Sequence, residues 1–250
     1  MINGLELKIM IHSSLCGSLC MLCVSLCNFL FLCNSCSSNQ SYINDDKTIT
    51  SYFCEHITIG TWTNDWSAAD SIQFENPDAS DNRVVVKTLW NNDSLYFLFK
   101  VSDNILRAFQ TEKDHPELYL DDMVEILIDA NNDKDSCWKT DDIVYHINIL
   151  GVKKDDRGTP DCQSDATWDG NARYTVRLFG VLNDLSGTAT GYEVKIAFPW
   201  SELNLKPRKG LAIGVNFANG DNDGNGRQLF DWTGAWPLRS PYAFGTLILE

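Results

Sequence analysis

The stretch DDMVEILIDANNDKDSCWKTDD, from Asp121 to Asp142, holds the densest chemistry in the chain. An apolar run with one carboxylate at its centre opens into a loop of Asp, Asn and a tryptophan. Hard oxygen donors of this kind suit calcium, and an aromatic face beside them suits the C–H face of a sugar. Asp129-Ala-Asn131-Asn132-Asp133-Lys-Asp135 sets oxygen donors at alternate positions, and Asp221-Asn-Asp223-Gly-Asn225-Gly226 does much the same. Both lack the pattern of a helix–loop–helix calcium site. Plain turns use the same residues, so each loop reads equally as a turn or as a cation loop.

Glu125 is the carboxylate that needs explaining. If Met123–Asp129 is a strand, Val124, Ile126 and Ile128 point one way, and Glu125, Leu127 and Asp129 the other. Carboxylates are depleted within strands, which leaves an exposed strand face or a binding face. The run Ile143–Leu150 is the expected neighbour, with Val144, His146 and Asn148 alternating against Tyr145, Ile147 and Ile149. Their pairing would put Glu125 and His146 on one polar face, ready to contact sugar hydroxyls. Glu125 and Asp129 do not form a glycosidase pair. Four residues of strand set them about 13 Å apart, beyond the ~5.5 Å of retaining and the ~9.5 Å of inverting enzymes. No nucleophile elbow appears, and His12, His56, His115 and His146 have no triad-like setting.

Trp236 lies in the loop Gly234-Ala-Trp-Pro-Leu, just after Trp232, and Tyr119 lies in the loop His115-Pro-Glu-Leu-Tyr; both are candidates for an exposed stacking surface. Trp90 and Trp200 read as structural.

These residues need a rigid scaffold, and the chain supplies strands. Turn signals separate alternating apolar runs every 8–12 residues or so, the pattern of an all-β protein. RVVVKTLW (Arg83–Trp90) and SLYFLFKV (Ser94–Val101) form a hairpin about Asn91-Asn92-Asp93. Further strands are expected at Met123–Asp129, Ile143–Leu150, Ala172–Val181, Gly191–Phe198, Leu211–Ala218, Arg227–Trp232 and Ala243–Leu249, with one helical turn at Leu203–Lys206. The expected fold is a jelly-roll-like β-sandwich of antiparallel sheets, one domain over residues 57–250.

The chain has 250 residues, and 34 acidic against 20 basic side chains give a net charge of −14. Such a surface repels nucleic acid and anionic lipid. Six of nine cysteines (Cys16, Cys20, Cys23, Cys27, Cys33 and Cys36) punctuate an apolar N-terminal run, which reads as an export signal over residues 1–36 and not as a metal site. The run resembles a lipoprotein signal, with Cys36 or Cys33 as the lipidated residue and residues 37–56 as a polar tether; a retained membrane helix is the alternative. Either way the folded part is exported to the cell surface or outer membrane, and it touches the membrane only through this N-terminal segment. Cys54, Cys137 and Cys162 then allow one disulfide with one thiol left over.

The ordered series VKTLWNNDSLYFLFKVSD, DDMVEILIDANNDKD, TDD, GYEVKIAFPWSEL, IGVNFANGDND and FGTLILE resembles the family 9 carbohydrate-binding modules over about Ile57–Glu250. The resemblance implies a calcium-binding β-sandwich without catalysis that holds oligosaccharide or polysaccharide chain ends between two aromatic rings. Trp236 matches one clamp tryptophan, Tyr119 falls at the other, and Glu125 matches the sugar-binding glutamate. His146 stands where the family carries an arginine, and Ala218 where it carries a glutamine. Asp103, Asp122 and Asp129 match acidic positions and are the expected calcium or structural carboxylates. Two other readings stay open on the residues alone: a protein-binding surface sandwich and a hydrolase component.

Overall fold

The period-two alternation resolves into thirteen strands, one four-residue helix and two short 3-10 turns in a computed structural model that describes residues 47–62 and 66–250. The expected export signal, Cys33, Cys36 and the first half of the expected tether (residues 37–46) lie outside the described residues. No helix among the described residues is long and apolar enough to cross a membrane.

Two sheets face each other. In the first, the order is β8 (Ser164–Asp165), β7 (Lys153–Gly158), β6 (Asp142–Asn148), β5 (Met123–Asp129), β11 (Ala212–Asp221), β13 (Gly245–Leu249) and β1 (Thr48–Phe53), with β12 (Gln228–Asp231) also against β11. The second runs β1, β3 (Arg83–Trp90), β4 (Ser94–Ser102), β10 (Tyr192–Pro199) and β9 (Arg173–Leu178), with β2 (Asp70–Glu75) on the free part of β3. Pairing is antiparallel except through β1, which lies parallel to β13 over Thr48–Ser51 and parallel to β3 over Tyr52–Phe53. The sandwich expected from sequence is the fold observed.

Large side chains from the two inner faces interlock. Phe97 and Phe99 of β4 meet Phe217 of β11 at ring-centroid distances of 5.6 and 5.7 Å, and Tyr145 of β6 meets Phe198 of β10 at 5.0 Å. Val124, Ile126 and Ile128 fill the same core from β5, as the alternation predicts. Trp90 and Trp200 are buried there too, each with its indole N–H bonded to a backbone carbonyl.

Two expectations need correcting. Thr48–Phe53, assigned to the tether, is β1 and closes both sheets. The helical turn forms at Trp200–Leu203 rather than Leu203–Lys206, because Asn204 takes a left-handed conformation (φ 53°) that ends it, and Pro207 then holds the residue before it extended. Cys137 and Cys162 are joined in a disulfide, and Cys54 remains free.

Candidate functional site

Glu125 sits mid-way along β5, directly opposite His146 on β6 and Ala218 on β11. All three face outward, away from the interlocked core. Glu125 Oε2 lies 3.4 Å from His146 Nδ1, and Glu125 Oε1 accepts a hydrogen bond of 2.8 Å from Arg227 Nη2. The side chain is only 3% exposed, so this carboxylate is held by its two partners; it does not stand open as the direct hydroxyl acceptor the sequence suggested. Burial raises the Glu125 carboxyl, but the charges of His146, Arg227 and Arg239 outweigh that and leave it below its ordinary value.

Arg227 is the residue that sequence reasoning missed. It follows the Asp221–Gly226 turn, and its guanidinium stacks on the Tyr119 ring, 5.6 Å from the centroid. Its path crosses β11 at Gly220, where a Cβ would meet Arg227 Nε at 3.4 Å and Met123 Cγ at 3.2 Å. A glycine there is the signal that could have found it: a strand glycine often marks a close approach.

The same outer face continues through Leu127 and Val144, which pack with Trp138, Phe244 and Leu238 in a small separate cluster. The loop after β12 is thereby folded over the face. Arg239 secures it, donating to Asp156 Oδ1 at 2.8 Å and lying 5.6 Å from the Trp138 ring. Trp236 rides on this loop and is 82% exposed, while Tyr119, on a 3-10 turn (Leu118–Leu120) anchored by buried Leu118, is 45% exposed. Trp232, by contrast, is buried against Phe217.

The acidic residues form three groups, in each of which one ligand atom per residue lies within 4.8 Å of the others among the described residues. Asp103 and Asp122 come together with Asp221 of the second candidate cation loop, a grouping the sequence did not give; Asp129 lies apart, with Asp141 and Asp142. Asp81, Asp221 and Asp223 make the third. Burial drives Asp122 up to about 9, Asp103 to about 7 and Asp142 to about 8, with neighbouring carboxylates adding to each. Asp122 accepts N–H groups of Arg107 (2.6 Å) and Asn222 (2.8 Å), yet Asp221 Oδ1 and the buried Asn82 Oδ1 beside it have no partner. A buried set of oxygens with unpartnered lone pairs and, among the described residues, no ion pair to a cationic side chain fits calcium well. Asp142 Oδ1, Asp141 Oδ2 and Asn132 Oδ1 are likewise unpartnered in the second group, where Asp129 accepts N–H groups of Asp133 and Lys134.

The Asp103 group and the Glu125 face are tied together. Asn222 donates its backbone N–H to Asp122 and its side chain to the Leu120 carbonyl, and its side-chain oxygen receives Arg107 at 3.3 Å. The turn bearing Tyr119, the loop bearing Arg227 and the clustered carboxylates are therefore joined through Asn222.

Residues 60–250 match the family described as carbohydrate family 9 binding domain-like. The chain belongs to that family. Exoglucanase XynX of Acetivibrio thermocellus is 26% identical over 230 residues, which cover 86% of this chain and 19% of that protein. Endo-1,4-beta-xylanase A of Thermotoga neapolitana is 29% identical over 170 residues, 66% of this chain and 14% of that protein. The family 9 domain thus spans less than a fifth of the length of these curated relatives. Among solved structures, a family 9 carbohydrate-binding module from Caldicellulosiruptor kristjanssonii in complex with cellotriose aligns at a TM-score of 0.59 with 22% identity, covering 82% of this chain and 94% of that one. The complex of such a module with glucose aligns at 0.58 with 21% identity, 82% and 96% covered. At these identities the structural likeness shows a shared fold.

Proposed function

We propose that this family 9 domain is a non-catalytic module that binds the end of a neutral saccharide chain on the outer face of the first sheet. Tyr119 and Trp236 stack on the sugar ring, and His146 and Arg227, oriented by buried Glu125, present donors to its hydroxyls. The observation that carries the reading is two exposed rings on loops bordering a face whose polar centre is already charge-paired and pre-formed. Calcium at the Asp103–Asp122–Asp221 and Asp129–Asp141–Asp142 groups stiffens the loops; it supplies charge neutralisation and takes no part in any reaction. Ligands named for the structural relatives, cellotriose and glucose, support the choice of a β-glucan end. The xylanase and exoglucanase names of the sequence relatives support a role beside polysaccharide-degrading enzymes.

The Cys137–Cys162 disulfide supports export, since oxidising compartments favour such bonds, and the apolar N-terminal run supports a lipid anchor at Cys36 or Cys33. Stacking contacts on exposed rings contribute about 1 kcal/mol each, so micromolar to millimolar affinity is expected. Calorimetric titration with cello-, xylo- and manno-oligosaccharides tests the proposal, and no heat with any of them would refute it.

A further inference from the structure

The outer face of the second sheet carries a group of side chains for which neutral-sugar binding has no use. In register across three strands, Lys87 of β3 stands beside Leu98 of β4 and Lys195 of β10. One row along, Lys100 of β4 stands beside Glu193 of β10 and Arg177 of β9. With Trp62, Trp66 and Ser67 these residues line a hollow of about 230 Å³. Among the described residues that line it, Lys87, Lys100, Arg177 and Lys195 against Glu193 make a local cationic surplus in a chain whose net charge is −14.

The cations are built in. Lys195 is 2% exposed; its Nζ donates to the Thr61 carbonyl at 2.6 Å and lies 4.7 Å from the Trp62 ring. Arg177 lies 4.4 Å from the Trp62 ring and 4.7 Å from the Phe179 ring, and bonds Glu193 Oε2 at 2.6 Å. Lys100 reaches the other Glu193 oxygen at 3.2 Å. Lys87 donates to the Trp66 carbonyl at 3.0 Å. Among the described residues neither Lys87 nor Lys195 has an ion-pair partner. Two further donors, on residues that line the hollow, are buried with no hydrogen-bond partner: the indole N–H of Trp66, a residue 7% exposed, and Nε of Arg177. Burying Lys195 beside Arg177 and Lys100 is unfavourable unless anionic charge joins them, and Glu193 is shared between Lys100 and Arg177; unpartnered buried donors likewise call for an acceptor.

We propose that this hollow binds the anionic group of an acidic saccharide, a uronate carboxylate or a sulfate ester, as a second subsite on the sheet opposite the Glu125 face. A bare inorganic anion gains nothing from Glu193, whereas sugar hydroxyls can donate to it. The saccharide half of the claim rests on the proposed function; the anion half stands on the cations and unpartnered donors alone.

The full chain is titrated by calorimetry with trigalacturonate, a sulfated disaccharide, inorganic sulfate and cellotriose, in wild type and in Lys100→Met and Lys87→Met/Lys100→Met variants. Lys100 is half exposed, so its single variant keeps the fold and the melting temperature. The expected result is that one or both acidic saccharides bind, that the variants weaken this about tenfold, and that cellotriose binding is unchanged. The acidic ligand that binds tells carboxylate from sulfate ester. Absence of both, undiminished binding in the variants, inorganic sulfate binding as tightly, or loss of acidic binding in Trp236→Ala would each overturn the proposal. Silence of cellotriose alone would remove only the neutral-sugar reading.

Discussion

Calcium affinity should depend steeply on pH, because the carboxylates that would hold the ion have their proton affinity strongly raised by burial. Asp122 is raised to about 9 and Asp103 to about 7. Both lie far above the ~3.9 of an exposed aspartate, so the folded chain without metal binds more protons than the unfolded chain between those values. Its stability therefore falls as pH rises from about 4 towards 9. Calcium must displace those protons. Between pH 8 and pH 6 the protons on this pair should together weaken binding by on the order of a thousandfold. At pH 7 each ion bound should release between one and two protons from this pair. Calorimetry in two buffers of different ionisation enthalpy measures that release directly. With calcium at about a hundred times its dissociation constant, the stability gain of about 2.7 kcal/mol should raise the melting temperature by roughly 5–11 °C at pH 8, and by much less at pH 6. Calcium binding with no proton release, or a melting-temperature gain equal at both values, would refute the reasoning.

Glu125→Gln keeps the shape of the side chain but removes the charge that positions His146 and Arg227; cellotriose affinity should fall at least tenfold, in line with about 1.5–3 kcal/mol for a charge-assisted bond, as read by titration calorimetry. Trp236→Ala, at an 82% exposed position, should leave the melting temperature within about 2 °C and weaken cellotriose binding about fivefold. Reducing the Cys137–Cys162 bond, which closes a loop of 25 residues, should cost about 3.5 kcal/mol and lower the melting temperature by roughly 7–14 °C in a calorimetric scan. Phe217→Ala, removing a ring that meets both Phe97 and Phe99, should cost about 3–5 kcal/mol in denaturant unfolding without altering the outer faces.

The strands that alternate cleanly were readable from the sequence, and so was the Glu125–His146 pairing, because a single register satisfies both apolar runs. β7 was not readable. Its sequence KKDDRG looks like solvent-exposed loop, yet Lys153 and Asp155 are buried as partners at 3.1 Å and Asp156 is bound by Arg239 from a distant loop. A hydrophobic pattern cannot reveal a strand whose burial rests on long-range ion pairs. β1 escaped for a related reason: TITSYF is short, and only its two flanking strands give it a place. At the site, Glu125, Tyr119 and Trp236 stood out by residue type and local setting. The place of Arg227, and the meeting of Asp221 with Asp103 and Asp122, depend on which loop meets which strand, and that is fixed by the fold.

The parallel seam between β1 and β13 bears on how the domain would carry load. β1 leads in from Lys47 at one end of the seam, while β13 runs out to Glu250 at the other. Tension applied between those two points pulls the strands lengthwise past each other. The pairs from Thr48↔Thr246 to Ser51↔Leu249 must then yield together instead of peeling one by one. Stretched between Lys47 and Glu250 the domain would resist extension, and optical tweezers should record a single high rupture force, not a gradual unravelling.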